Sequence, residues 1–212
     1  MKVIATLWLF VFSAFCLADE LDSYLQQCSP KVAPVTMRAI IKAESGRNPL
    51  ALNLNKGKRL RYQAKSMKQA IAWANYLEAH NYNFDIGISQ VNIKNAHKYG
   101  YRAYQLLDIC TNLKVASEIL AQNYSQAKMV STNQQDALRK AISAYNTGNF
   151  RSGFNNGYVA KVVSHAAGSQ YRYSEYKVSQ KNQTLDPNLP QDNNGVIKLQ
   201  NIKLAGINNE NQ

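Results

Sequence analysis

Residues 39–49 read Ala-Ile-Ile-Lys-Ala-Glu-Ser-Gly-Arg-Asn-Pro, an apolar segment that carries one carboxylate and then breaks into polar residues. Pro34 and Thr36 just upstream predict the start of a helix, with Thr36 as its cap. Gly46 and the Asn-Pro pair end that helix, because a residue before proline avoids helical angles. Glu44 then closes an apolar helix, where lost hydration raises a carboxyl pKa. Such a group suits a general acid near neutral pH, although most glutamates in a last helical turn are solvated.

Apolar residues at helical spacing predict several further helices. They cover Ser66 to about His80, Cys110 to about Ala127, Gln134–Tyr145 and Tyr158–Ala167, with a short one ending near Gly100. Residues 50–63 predict a polar connection with a short strand or hairpin. Alternation from Phe84 to Ile88 predicts a strand or tight turn. The expected fold class is therefore mainly α, with one small irregular or β region.

The first 18 residues have the features of an export signal. Lys2 is the only charge before Asp19, the run between them is almost entirely apolar, and small residues stand at Cys16 and Ala18. This pattern predicts a signal peptide cut after Ala18. An uncleaved anchor is the alternative, which the shortness of the run disfavours. No later run is long and apolar enough to span a bilayer, so the processed chain is not expected to be an integral membrane protein.

Cys28 and Cys110 remain after such processing. An even pair in an exported chain favours one disulfide over two buried thiols. The three histidines, His80, His97 and His165, lack the spacing of metal ligands, so we expect no metal.

The chain carries a formal net charge of +12, and six basic residues without an acid fall between Lys56 and Lys68. Such a balance suits an anionic partner, either nucleic acid, a membrane surface or an acidic cell-wall polymer. A solvated surface is the other interpretation. Export argues against nucleic acid, so we expect none.

Composition divides the chain after about residue 174. Residues 175–212 are rich in Asn and Gln and too polar to build a core, which predicts a largely disordered tail behind a domain at 19–174. Apolar residues between Val196 and Ile207 form one patch in this tail. Loose packing on the domain and docking to a partner both remain open.

Four separated motifs supply one acid, several amides and tyrosines. They are Glu44-Ser45, Gly-Ile-Ser-Gln-Val-Asn at 87–92, Ala-Tyr-Asn-Thr-Gly at 144–148, and Tyr158-Val159. Each is weak alone, since such residues are commonly caps, turns or core aromatics. Together they suit a carbohydrate, because amides bind hydroxyl and N-acetyl groups and aromatic faces stack on sugar rings.

The order Glu-Ser, Gly-x-x-Gln-x-Asn and Ala-Tyr-Asn resembles the motifs of the soluble lytic transglycosylase (SLT) domain, over roughly residues 25–170. The resemblance implies a lysozyme-like, goose-type α fold that cleaves peptidoglycan glycan strands. The early cysteine, the Asp85 to Asn92 pattern and the cysteine before a later helix are similar to the specialised members that accompany type IV secretion and conjugation systems. That kinship implies a periplasmic protein, with secretion-system components as candidate partners of the tail.

The resemblance also implies roles for individual residues. Glu44 would act as catalytic acid and then base, with Ser45 supporting the site beside it. Gln90 and Asn92 would lie in the glycan groove. Tyr145 would donate a hydrogen bond toward Glu44, and Asn146 would help to hold the sugar. Ser89 occupies a position where the family often has Met, and we assign it no role.

Only Glu44 has a convincing setting for a catalytic carboxylate. Most glycosidases use two carboxylates, and Asp85 is the sole nearby second candidate, although an aspartate before a turn glycine is commonly structural. One carboxylate without a cofactor fits cleavage of the MurNAc–GlcNAc bond in which the sugar's own 6-hydroxyl attacks, giving a 1,6-anhydro product. The alternatives are a hydrolytic muramidase that uses Asp85 and a non-catalytic factor that binds glycan during assembly.

Overall fold

The computed structural model describes residues 20–55 and 60–168. The predicted signal peptide, the basic residues at 56–59 and the tail from residue 175 lie outside the described residues. The helices are α1 (Glu20–Cys28), α2 (Pro34–Glu44), α3 (Met67–Ala79), α4 (Ile93–Lys98), α5 (Ile109–Lys128), α6 (Gln134–Thr147), α7 (Ser152–Asn155) and α8 (158–168). A 3-10 helix covers Ala103–Leu107, and the strands are β1 (Leu52–Leu54), β2 (Phe84–Ile86) and β3 (Val91–Asn92).

The long helix α5 organises the core, because α1, α6 and the 3-10 helix all pack against it. Ile40 and Ile41 of α2 and Leu113 and Leu120 of α5 are fully buried. Each of these two helices therefore turns an apolar face toward the shared interior. The expected mainly α fold with a small β region is confirmed.

A disulfide joins Cys28 at the end of α1 to Cys110 at the start of α5, with a Cα–Cα distance of 5.1 Å. This is the pairing that the sequence favoured. It links positions 82 residues apart, and a bridge that closes so long a loop typically stabilises a fold by about 2–4 kcal/mol.

The three strands form one antiparallel sheet in the order β1-β2-β3. Asp85 of β2 pairs with Asn53 of β1 on one side and with Asn92 of β3 on the other. The sheet therefore surrounds one carboxylate with amide side chains.

Two local expectations were wrong. No helix was expected before Pro34, but the segment before Cys28 forms α1, because Leu21, Leu25 and Cys28 recur at helical spacing and are buried. Thr36 is not the cap of α2. The helix begins two residues earlier at Pro34, whose fixed φ suits the first turn, and the Thr36 hydroxyl is buried with no hydrogen-bond partner among the described residues.

No helix within the described ranges is long and apolar enough to cross a membrane.

Candidate active site

An open cavity of about 470 Å³ lies between the sheet and helices α4, α5 and α6. Six of the residues singled out from the sequence line it, namely Glu44, Asp85, Gln90, Asn92, Tyr145 and Asn146. They come from five separate elements, so only the folded chain brings them together. Ser45 lies outside the lining. Its hydroxyl donates to the carbonyl of Ile88 at 2.6 Å, which ties the end of α2 to the loop between β2 and β3.

Glu44 is partly buried at the C-terminal end of α2. Burial raises the pKa of its carboxyl from 4.5 to about 7, and the negative charge of Asp85 adds to the rise. A hydrogen bond from the hydroxyl of Tyr158 and the positive charge of Lys161 act in the opposite direction. Glu44 is therefore protonated for much of the time near neutral pH, as a general acid must be.

The expected hydrogen bond from Tyr145 to Glu44 is not formed. Tyr145 donates instead to the carbonyl of Ser89 at 2.8 Å, while Tyr158, at the start of α8, donates to Glu44 Oε1. The sequence singled out Tyr158 as part of a motif but assigned it no contact. The first residue of α8 thus contacts the Glu44 carboxyl, whereas Tyr145 holds the loop between β2 and β3.

Asp85 is held by two amides. The side-chain nitrogens of Asn92 and Asn55 donate to its Oδ1 at 2.7 and 3.2 Å. Burial raises the pKa of Asp85 while these two hydrogen bonds lower it. Asn92 also caps α4, since its Oδ1 accepts from the backbone of Lys94 at 3.0 Å. Asn92 thus links the carboxylate to the helix that forms one wall of the cavity.

The side-chain nitrogen and oxygen of Gln90 form hydrogen bonds that hold the loop between β2 and β3. Its nitrogen donates to the carbonyls of Gly87 and Ala51 at 2.8 and 3.1 Å, and its oxygen accepts from Asn53 at 2.7 Å. The backbone of Gln90 has a positive φ of 51°, a conformation that costs energy for a residue with a side chain. The hydrogen bonds of the Gln90 side chain stabilise this backbone conformation. Asn146 differs, because it is exposed at the rim of the cavity and accepts one hydrogen bond from Asn156.

Asn112 of α5 supports this loop from below, and sequence reasoning missed it. Its nitrogen donates to the carbonyls of Ile86 and Leu106 at 2.8 Å, and its oxygen accepts from the Ser89 backbone at 2.9 Å. Gly87 packs against the same side chain with φ +76°, and a Cβ there would lie 2.4 Å from Asn112 Nδ2. The signal was present in the sequence, because Asn112 falls one turn before Ala116 on the apolar stripe of α5.

Among the described residues, no group of three or more His, Cys, Asp and Glu side chains is arranged to hold a metal ion.

Replacing Tyr158 with Phe should raise the pKa of Glu44 above about 7, because the lost hydrogen bond favours the ionised carboxylate. Carbon-13 NMR of the glutamate carboxyl groups would follow the titration in wild type and variant. Tyr145→Phe is the matched control and should leave the midpoint unchanged, since its hydroxyl bonds to Ser89. An equal shift in both variants, or a lower midpoint in Tyr158→Phe, would contradict this assignment.

A mainly helical fold with a small sheet, and Glu44 as the one glutamic acid among the described residues that line the groove, are features of lysozyme-like domains. Residues 25–166 match the family described as Transglycosylase SLT domain, and the chain belongs to this family.

Several relatives carry type IV secretion names. The chain is 46% identical over 147 residues to the Type IV secretion system protein virB1 of Brucella suis, covering 66% of this chain and 61% of that protein. It is 38% identical over 148 residues to Protein virB1 of Agrobacterium fabrum, covering 69% and 59%. A match to Protein virB1 of Rhizobium radiobacter is 36% identical over 170 residues and covers 76% and 70%. The chain thus spans about six-tenths of the length of the first two relatives. No solved structure gives a significant match.

Proposed function

We propose that this protein is a lytic transglycosylase that cleaves the β-1,4 bond between MurNAc and GlcNAc in peptidoglycan glycan strands. The observation that carries the proposal is Glu44, a carboxylic acid with a pKa raised to about 7 at the wall of an open polar groove. Membership of the SLT family supports the same activity.

Glu44 first donates its proton to the glycosidic oxygen, and the bond from that oxygen to C1 of MurNAc breaks. The N-acetyl group of the same sugar stabilises the oxocarbenium-like centre. Glu44, now a carboxylate, takes the proton of the 6-hydroxyl, whose oxygen bonds to C1 and gives the 1,6-anhydro product. The proton returns to Glu44, so the cycle closes without water. A group with a pKa near 7 can both give and accept this proton.

The polar lining suits the substrate's chemistry. Asn146 is exposed at the rim, and its amide nitrogen donates to no other residue that the structure describes, so it can donate to sugar hydroxyl or N-acetyl groups. Gln90 and Asn92 line the groove while they hold the loop and Asp85, so we assign them substrate contact through their cavity-facing edges. We assign Ser45 no contact with the substrate; it supports the site through the hydrogen bond from its hydroxyl to the carbonyl of Ile88 in the loop.

We also propose a periplasmic location and a role in opening the cell wall for a type IV secretion or conjugation apparatus. The disulfide fits an oxidising compartment, and the relatives named as type IV secretion proteins suggest the machine. The predicted signal peptide and a docking role for the tail belong to this proposal.

Mass spectrometry of peptidoglycan digested by the purified protein tests the reaction. Products ending in 1,6-anhydroMurNAc are expected. Products with reducing MurNAc ends would replace the proposal with hydrolysis, and glycan binding without any cleavage would replace it with a binding role.

A hydrolytic muramidase is the second candidate, because Asp85 lines the same cavity and its charge acts on Glu44. Asp85→Asn separates the two, since the amide keeps the oxygen that accepts from Asn92 and Asn55. If Glu44 acts alone, the rate should fall less than about tenfold and the alkaline limb of the pH profile should move lower, because a charge that raises the pKa of Glu44 is gone. A loss of about 10²–10⁴ would instead make Asp85 a catalytic carboxylate.

A further inference from the structure

The cavity that Glu44 lines is also lined by basic residues. Lys94 and Lys98 line it from α4, and the amides Asn95, Gln122 and Asn123 line it from α4 and α5. Lysines four residues apart lie on the same face of a helix, one turn from each other. Both are exposed, and both line the groove wall.

The charge of these two lysines is not matched by nearby acids. Within residues 20–55 and 60–168 no ion pair includes Lys94 or Lys98, although other surface lysines, such as Lys31 and Lys140, have carboxylate partners. The Nζ atom of Lys98 lies 5.9 Å from the centroid of the Tyr99 ring. Of the two acids that line the cavity, Glu44 has a pKa of about 7, so it opposes the lysine charge less than an ordinary carboxylate would, and the Asp85 carboxylate accepts hydrogen bonds from Asn92 and Asn55.

The position of this pair relative to the reacting centre is set by Asn92. This residue bonds to Asp85 through its nitrogen and to the backbone of Lys94 through its oxygen. Lys94 is therefore joined to Asp85 through a single residue, Asn92. Lys98 lies one helical turn farther along the wall of the groove. A glycan whose scissile bond is at Glu44 would bring the groups attached to its sugars past this wall.

We propose that Lys94 and Lys98 form a carboxylate-binding subsite in the groove that recognises the acidic substituents of the glycan strand. This inference rests on the proposed function. Neutral sugar hydroxyl groups need no ammonium partner, whereas ammonium groups form charge-assisted hydrogen bonds with carboxylates. Two sources offer that chemistry, namely the carboxylates of the peptide stems and the lactyl carboxylate of MurNAc where the stem is absent.

The test compares wild type with the double variant Lys94→Gln/Lys98→Gln on soluble, stem-bearing glycan strands. The KM of the variant should rise roughly tenfold while kcat changes less than about twofold, because two partly exposed charged contacts to bound substrate are lost. Lys94→Arg/Lys98→Arg, which keeps the charges, should stay near the wild-type KM. The matched control is Lys114→Gln/Lys128→Gln on α5, which removes the same charge outside the lining and should leave the KM unchanged.

Two further substrates identify the carboxylate. Strands whose carboxyl groups have been converted to amides should remove the difference between wild type and variant. Strands stripped of stems by an amidase expose the lactyl carboxylate, so they show a difference if that carboxylate is bound and show none if only the stem carboxylates are bound. An unchanged KM for the double variant on both stem-bearing and stem-stripped strands, or a difference that persists on the amidated strands, overturns the subsite.

Failure of the subsite and failure of the enzyme are distinguishable. If wild type cleaves and the lysine variants behave like it, only the subsite is wrong. If wild type does not cleave, the same lysine substitutions are compared by their Kd for stem-bearing strands, measured by isothermal titration calorimetry. A roughly tenfold weaker Kd for these strands, or for strands stripped of stems, would then support the subsite, and an equal Kd for both would reject it.

Discussion

Glu44→Gln should lower the rate of glycan cleavage by about 10²–10⁴, the usual loss when a general acid is removed. The amide has nearly the shape of the carboxyl, and its oxygen still accepts the hydrogen bond from Tyr158. The loss therefore reflects proton transfer and not a rearranged site. Release of soluble muropeptides from purified peptidoglycan measures it, with Glu118→Gln as the control. Glu118 pairs with Lys31 and lies outside the cavity lining. Near-wild-type turnover by Glu44→Gln would reject the assignment of Glu44.

The same variant should be more stable than wild type in alkaline solution. The folded pKa of Glu44 is about 7, above the unfolded value, so ionising Glu44 costs the folded state free energy as the pH rises from about 4.5 to about 7. Glutamine has no such cost. Its advantage should be absent below pH 4 and reach at most about 3 kcal/mol above pH 8. Urea unfolding at both pH values measures this, and an advantage that did not grow with pH would mean that Glu44 has an ordinary pKa.

Local patterns in the sequence predicted the fold well where hydrophobic periodicity was long. Helix α3 begins directly after Ser66, whose hydroxyl accepts from the Gln69 backbone, and it ends next to His80 as expected. Helix α5 was predicted within one residue at each end. Periodicity failed for α1, because only three apolar residues recur in nine and the helix is stable through packing on α5.

The site was predictable as a set of residues but not as a set of contacts. Motif order brought Glu44, Asp85, Gln90 and Tyr145 into one hypothesis, and all four line one cavity. Which tyrosine reaches Glu44 depends on how α8 crosses the end of α2, and no local pattern contains that crossing. Lys94 and Lys98 looked like ordinary exposed charges in the sequence, since only the folded chain turns that face of α4 toward the groove.

Asn112→Asp should destabilise the fold by at least about 3 kcal/mol at pH 8, because it changes one buried amide that no other group can replace. Asn112 is 1% exposed, and its nitrogen donates to two backbone carbonyls. A carboxylate oxygen in the same place would face both carbonyls with a charge and no proton. The loop that carries Gly87, Ser89 and Gln90 loses its support from α5, so glycan cleavage should fall with stability. Urea unfolding followed by circular dichroism measures the loss.

The pH dependence of the stability of Asn112→Asp separates an effect of the introduced charge from an effect of altered side-chain shape. The introduced carboxyl group, once protonated, can donate to one of the two carbonyls, so part of the stability should return near pH 4, close to the ordinary aspartate pKa of about 3.9. Since ionisation is disfavoured in the folded state, the deficit relative to wild type should grow as the pH rises. Asn75→Asp on the exposed face of α3 is the matched control, and it should change stability by less than about 0.5 kcal/mol at either pH. A deficit equal at pH 4 and pH 8 would show that the two carbonyls do not depend on the Asn112 nitrogen.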